Sequence, residues 1–468
     1  MRVAVFTPTH NPKRLIHAAR SIAAQAGVPR GNIAWVVGVN GAAAHDPSAI
    51  AIIDECCGIV RDAGIEATVL DIDAHGTAIG ALKRALCMNA IEADADVVVE
   101  FDHDDVLGPR AIASIAATPF ESGARVFWYS DFAEFRDGTN APHAYSPEFG
   151  WESYPVTADA PGTDVHGAVL LASRAHPADA RSMCQILYAP NHLRAWSAAA
   201  YLAAGGHSPS LDVCDDHDLL IRTYLDSGTR FVHLPECLYY YRTGDNTCAG
   251  AANARIQALS GCGAEWYANG HRVPDFAARV ALRDQHMQAL VEAESARNGG
   301  MLLDLGGAIG APPGWTTLDL ANADIIHDLR HPLPFEDGSV FAIRAHDVLE
   351  HLDGPEAARL IAECWRVLCH GGWLLTRTPA DNGVGAACDL SHRSRWNTRT
   401  WSYFWSGQMR PSRDAAFPGL RAEFQPVRVL TETVTMGPWP CQWDAPYVVA
   451  DLQVVKPDGR RLPGAVFL

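Results

Sequence analysis

The sequence predicts an α/β chain of two domains joined by a helical connector, and three observations carry that prediction. Its 468 residues exceed a single ordinary domain at roughly 100–200 residues each. Short apolar runs alternate with helix-period segments, the rhythm of a mainly parallel sheet covered by helices. That rhythm starts twice, once at the N-terminus and again near residue 299, where Asn298-Gly299-Gly300 precedes a fresh apolar strand. The boundaries that follow are 1–250, a connector over 251–298, and 299–468.

Composition narrows the function classes. Hydrophobic residues make up 48% and charged residues 19%, an ordinary globular mix that excludes a disordered, collagenous or coiled-coil chain. A net charge of −17 excludes a general nucleic-acid coat, which needs many Lys/Arg–phosphate contacts. A nucleic acid held in one local pocket stays open. None of the 12 cysteines forms a C-x-x-C pair, so they read as buried reduced thiols. No stretch approaches 18 apolar residues and the first residues lack a signal peptide, so the expectation is a cytoplasmic chain without a transmembrane segment.

In the first half, Val3–Phe6, Ile33–Val39, Ala67–Ile72 and Val97–Phe101 read as strands. Leu15, Ile16, Ala19, Ile22 and Ala23 recur at helical spacing, as do Ile79, Leu82, Leu86 and Ala90. Ligands of such sheets bind beyond the carboxyl ends of the strands. There the fourth strand runs into Asp102-His103-Asp104-Asp105. Carboxylates so crowded need a positive partner, and a hard divalent cation, Mg²⁺ or Mn²⁺, suits them. A solvated acidic turn is the plain alternative. A second cluster, Asp215-Asp216-His217-Asp218, precedes a helical segment, where capping alone accounts for one of its aspartates. Arg242 ends the strand-like Leu238–Tyr241, placed to meet a phosphate or to pair with a carboxylate.

These pieces, with Val5-Phe6-Thr7-Pro8-Thr9-His10-Asn11, Ala81–Leu86 and Gly205-Gly206-His207, resemble a family-2 glycosyltransferase of the nucleotide-sugar (GT-A) fold over about residues 1–248. The resemblance implies that Asp102 and Asp104 hold the divalent metal on the donor diphosphate. It implies that Asp216 is the base that deprotonates the acceptor hydroxyl for inverting attack. Thr7, Pro8, Asn40, Lys83, Arg84 and Arg242 then belong to the nucleotide-sugar site, with a UDP-, GDP- or dTDP-sugar as donor. Two positions depart from the family. Asn40 stands where many members carry an aspartate that reads the base, and Thr243-Gly244-Asp245-Asn246 follow Arg242 without the usual histidine.

In the second half, the strand Met301–Leu305 enters Gly306-Gly307-Ala308-Ile309-Gly310, and the next strand ends at Asp319. Glycines at such a turn admit a ligand close to the backbone, and a carboxylate at that strand end commonly takes ribose hydroxyls. Asp328-Leu329, His346-Asp347-Val348-Leu349-Glu350-His351 and Arg366–Gly372 follow in order. The series resembles class I S-adenosylmethionine-dependent methyltransferases of Rossmann-like fold over about residues 299–405. It implies S-adenosylmethionine as cofactor, held by Asp304, Gly306, Gly307, Gly310, Asp319, Asp328, Leu329 and His346. The first motif departs from the usual G-x-G. A helical stripe, Leu360–Leu368, should end at Gly371-Gly372 before a strand over Trp373–Thr378. His351 and His392 are candidates for a methyl-acceptor site. The aromatic run Trp396, Trp401, Tyr403, Phe404 and Trp405 reads as a packed lid or core, or else as an acceptor pocket. Residues after about 410 read as strands and loops without an assignable role.

The reading is a bifunctional enzyme that transfers a sugar to an acceptor hydroxyl and methylates an acceptor, with the transferred sugar a natural methyl target. The alternatives are a glycosyltransferase with a binding module for its second half, and a nucleotide-binding regulator. The acceptor (a glycan, a protein or a modified nucleic acid) is not legible.

Overall fold

The computed structural model describes residues 1–40, 46–70, 78–136, 151–185, 190–243, 287–308, 310–405, 409–436 and 443–457. Ile72, Gly244–Asn246, most of the expected connector and Ile309 lie outside the described residues. The chain falls into two compact units, Met1–His286 and Met287–Leu468. The described part of the expected connector, the helix 287–298, is part of the second unit rather than a spacer. Its Met287, Leu290 and Val291 are buried, and Glu292 accepts Trp315 Nε1–H at 2.7 Å.

The first unit holds β1 (Val3–Thr9), β2 (Ile33–Val39), β3 (Glu66–Leu70), β4 (Val97–Glu100), β5 (Val106–Leu107), β6 (Val126–Arg136), β7 (Ser153–Thr157), β8 (Val169–Ser173), β9 (Arg194–Ser197) and β10 (Arg230–Thr243). Their order is β3-β2-β1-β4-β9-β6-β10-β5, with the β7–β8 pair set on β6. The sheet is parallel only from β3 to β4 and where β6 meets β10; β9 runs antiparallel to both β4 and β6. The expected mainly parallel sheet is therefore corrected to a mixed one. The reversed strand matters, because it brings Arg194 opposite Glu100.

Alternation along β1 explains both faces. Val3 and Val5 join Leu15 and Ile22 of α1 (Leu15–Ala23) and Ile53 of α2 (Pro47–Asp62) in one cluster. Ala4 and Phe6 join Leu82 and Leu86 of α3 (Ile79–Glu92) in the other. With both faces covered, the strands are apolar throughout. Asp46 caps α2 by accepting Ser48 N–H at 2.9 Å, and Pro47 begins it.

The second unit holds β11 (Met301–Leu305), β12 (Thr316–Asp319), β13 (Ile325–Ile326), β14 (Val340–His346), β15 (Leu368–Pro379), β16 (Phe424–Met436) and β17 (Trp443–Val454), ordered β13-β12-β11-β14-β15-β17-β16. β11 to β15 pair in parallel; β17 is antiparallel to β15 and to β16. This gives the residues after 410 a role: they complete the sheet beyond β15. The aspartate before Gly354–Val367 forms a capping box, with Asp353 accepting Glu356 N–H and Glu356 accepting Asp353 N–H. That helix stops when Leu368 turns extended, and Gly371-Gly372 lie inside β15 instead of ending the helix. Trp396, Trp401 and Phe404 are core residues packed with Leu303, Ile361 and Val448. The thiols of Cys56, Cys57, Cys87 and Cys364 are buried, whereas Cys388 is exposed.

Candidate active sites

In the first unit the chemistry gathers where β4 and β9 meet the helix α4 (Asp215–Leu225). Glu100, on the last position of β4, is fully buried. It accepts from Lys83 Nζ at 2.6 Å and from Arg194 Nη1 at 3.4 Å. Burial disfavours its charge, but Lys83 and Arg194 overcome that and hold the carboxyl below its ordinary range. Lys83 also lies 3.3 Å from Asp215 Oδ2. Against the cost of its burial, Asp215 and Glu100 keep the ammonium charged well above the usual lysine range. Arg194 Nη1 donates to Asp216 Oδ2 at 2.7 Å. Asp216 is lowered: burial opposes, and Arg194 then Lys83 prevail.

Asp102 behaves differently. Burial pushes its carboxyl up to about 7; Lys83 pulls the other way, and the neighbouring carboxylates Glu100, Asp104 and Asp216 add to the rise. Six carboxylates (Glu100, Asp102, Asp104, Asp105, Asp215, Asp216) share this region with three cations (Lys83, Arg194, Arg242). The excess of hard oxygen donors fits a divalent cation; among the described residues none of Asp102, Asp104 and Asp105 forms an ion pair with a lysine or arginine, and Asp105 is already held by the Tyr239 hydroxyl and the Arg242 backbone N–H.

Several predicted residues have other tasks. Arg242 is buried and donates from Nε to Asp104 O at 2.8 Å, pairs with Asp164 at 2.8 Å, and lies over the Phe135 ring at 4.4 Å. Its backbone N–H donates to Asp105, as does the Tyr239 hydroxyl, each at 2.7 Å. It therefore braces the acidic turn and pairs with a carboxylate, one of the two partners that its strand-end position allowed. Arg84 donates to the carbonyls of Gly205 and His207, tying that loop. Thr7 is fully buried and accepts Trp35 Nε1–H at 3.0 Å. Pro8 sits in β1, and Asn40 just past β2 donates its N–H to Thr9 O at 2.8 Å. None of the aspartates caps α4 from its N-cap position, which is Cys214 in the left-handed region (φ 59°). Asp218 instead pairs with Arg222 at 2.7 Å one turn on.

Sequence reasoning missed Glu100, Arg194 and His192. The His192 ring stacks on Tyr239 with centroids 4.8 Å apart. The available signal was a charged residue at the end of each apolar strand, Glu100 after Val97-Val98-Val99 and Arg194 before Ala195-Trp196.

In the second unit the glycine turn leaves β11. Gly306 has φ 74°, and a Cβ there would stand 2.6 Å from Val348 Cγ2. Gly310 has φ 81° and opens to space. Asp319 closes the cradle: Oδ2 accepts Ala308 N–H at 3.2 Å and Oδ1 accepts Leu320 N–H at 2.6 Å. Asp304 is buried. Its Oδ2 accepts from Arg344 at 2.7 Å while Oδ1 has no partner. Burial raises it, and Arg344 only partly offsets that. A Cβ on Gly307 would meet Asp304 Oδ2 at 2.9 Å. Two glycines beside a buried carboxylate whose Oδ1 has no partner among the described residues fit a ligand carrying an amino group, as S-adenosylmethionine does.

His346 ends β14. Burial first, then Arg344 and Arg377, push its imidazole down to about 3, so it is neutral. Leu329 packs on the core, and the half-buried Asp328 pairs with Arg330 at 2.6 Å. His351 and His392 do come together, with ring centroids 4.9 Å apart. Glu350 lies beside them, buried and pushed up to about 8 by that burial and then by Asp347 and Asp389, its own backbone N–H opposing.

Among the described residues, no helix is long and apolar enough to cross a membrane. Residues 261–376 match the model of a family described as "Methyltransferase domain". No curated protein matches the chain. Solved structures similar to it include S. aureus TarS 1-349, at 15% identity and TM-score 0.38, covering 67% of this chain and 76% of that one. Another is the mannosyltransferase PcManGT from Pyrobaculum calidifontis in complex with GDP-Man and Mn²⁺, at 14% identity and TM-score 0.36, covering 67% and 77%. A third is a SAM-dependent methyltransferase from Methanosarcina mazei, at 12% identity and TM-score 0.23, covering 33% and 92%. The second unit thus contains a methyltransferase domain, and the chain is a transferase.

Proposed function

We propose that the chain is a bifunctional enzyme that transfers a sugar from a nucleoside-diphosphate donor in its first unit and a methyl group from S-adenosylmethionine in its second. The observation that carries the first half is the salt-bridge network that fixes Asp216 as an ionised carboxylate beside the unneutralised Asp102. Asp102 and Asp104 would hold a divalent ion, Mn²⁺ or Mg²⁺. When bound, such an ion offsets charge developing on a leaving diphosphate. Arg194 orients Asp216 and keeps it deprotonated, ready to take the proton of an acceptor hydroxyl as that oxygen attacks the anomeric carbon with inversion.

In the second unit, Asp319 would take ribose hydroxyls, and Gly306 and Gly310 give the backbone close access to the cofactor. Asp304 Oδ1 would accept from its amino group. Methyl transfer by direct displacement then needs mainly alignment of donor and acceptor. A methyl acceptor on the newly added sugar is the reading that makes use of the tether, which raises the local concentration of a shared intermediate.

A panel of UDP-, GDP- and dTDP-sugars with Mn²⁺, read by mass spectrometry, tests the first half. Release of the nucleoside diphosphate from one donor, lost in Asp216→Asn, is the expected result. Release that is unchanged in Asp216→Asn would sink the assignment. For the second half, bare acceptor and S-adenosylmethionine are supplied together. Methylation of the unglycosylated acceptor at the full rate would refute the sugar-first order.

A further inference from the structure

The turn after β14 and the loop after residue 388 converge on a group that neither half-reaction uses. Glu350 and His351 come from the 3₁₀ turn Leu349–His351, and His392 from the loop. One potential ligand atom from each lies within 4.8 Å of the others. Glu350 is 2% exposed, yet among the described residues no group beyond its own backbone N–H reaches its carboxylate oxygens. His392 Nδ1 is likewise buried and unpartnered, and its Nε2 stands 4.0 Å from Glu350 Oε1 and 3.9 Å from Asp389 Oδ2. Leaving such acceptors without partners is costly, so they call for a partner that the described residues do not supply.

We propose that Glu350, His351 and His392 form a binding site for a divalent transition-metal ion such as Zn²⁺. Two imidazoles and a carboxylate make a donor set that catalytic zinc sites use, one that leaves a coordination position open. The surrounding shell is also built for it. Ser391 Oγ is 2.6 Å from Asp389 Oδ1 and 3.0 Å from His351 Nδ1. With the hydroxyl donating to the carboxylate, His351 Nδ1–H donates to Ser391, and the Nε2 lone pair is left for a metal. Ligands at about 2.1 Å from a tetrahedral ion sit about 3.4 Å apart, so the three draw in by about an ångström on binding. The exposed loop Asp389–Ser391 above them gives the ion an entry path and the freedom to close.

A similar grouping in the first unit, Glu100, His192 and Asp216, is a useful contrast. There Arg194 already lies 3.4 Å from Glu100 and 2.7 Å from Asp216, supplying the charge that an ion would bring. No lysine or arginine forms an ion pair with Glu350 among the described residues. Under the methyltransferase reading, the open position would suit a hydroxyl of the methyl acceptor.

The test is Zn²⁺ titration of the metal-stripped full chain by calorimetry. It is run in an Asp102→Asn, Asp104→Asn background, which removes the metal pair proposed for the first unit. One ion per chain is expected. Glu350→Gln and His392→Ala should each weaken binding at least 100-fold, and Ser391→Ala about tenfold through His351. Circular dichroism confirms that each variant is folded. Absence of a one-to-one isotherm, or equal affinity in folded Glu350→Gln, would overturn the site. S-adenosylmethionine binding is titrated separately. If it fails while Zn²⁺ binds, the methyltransferase reading falls and the metal site stands.

Discussion

The two units place their sites alike, at the carboxyl ends of parallel strands, and guard them with opposite materials. The first site is crowded with charge: Glu100, Asp102, Asp215 and Asp216 around Lys83 and Arg194. The second is defined by what is missing: side-chain atoms at Gly306 and Gly307, and a partner for Asp304 Oδ1. A charged site holds its shape by mutual neutralisation, so it fails when one member is removed. A cradle holds its shape by backbone conformation, so it fails when an atom is added.

That contrast breaks most visibly at Asp216. Asp216→Asn should lower sugar transfer by about 10²–10⁴-fold while leaving S-adenosylmethionine affinity unchanged; the paired readouts are diphosphate release and calorimetry. Next comes Lys83→Met, which strands Glu100 and Asp215 in the interior. Breaking a buried pair from one side costs about 3–5 kcal/mol, read by urea titration of the first unit's transition. A loss below about 1 kcal/mol would mean that water reaches these carboxylates.

The cradle is tested by addition. Gly306→Ala introduces a methyl 2.6 Å from Val348 at a backbone angle that L-residues avoid. S-adenosylmethionine affinity should fall about tenfold, the effect of roughly 1.4 kcal/mol of strain. The last test concerns pH. His346 is held near 3 in the folded state, against 6.5 for the ordinary imidazole. Between those values the unfolded chain binds a proton that the native one does not, so this group makes stability fall as pH drops from 6.5 to about 3. The slope is at most about 1.4 kcal/mol per pH unit. His346→Asn should flatten that limb in denaturation curves taken across the range.

What was legible follows the range of the interactions involved. β2 and β11 occupy the residues that their apolar runs marked, and β1 overruns its run by a few residues because Thr7–Thr9 stay paired with Val37–Val39. The clusters at Asp102, Gly306 and Asp319 were visible because motif and strand end coincide in sequence, and the one at Asp216 because its carboxylates crowd a helix start. Arg194 was not, because its meaning comes from the register Glu100↔Arg194 across strands 94 residues apart. Arg242 shows the converse. An arginine ending a strand reads equally as a phosphate contact or a carboxylate partner, and only the fold supplies Asp104 O and Asp164. The glycines in β15 misled for a similar reason: the helix before them ends through Leu368, and they lie in the register break between the β14 pairings of Leu368 and Trp373.

The distribution of thiols equips the molecule with its own internal clock. Cys56, Cys57 and Cys87 are sealed in the first unit and Cys364 in the second, while Cys388 faces water. An alkylating reagent would mark Cys388 at once and each sealed sulfur only at the rate its unit breathes open. Peptide-resolved labelling would therefore time the opening of each unit in the intact chain, with no engineered probe.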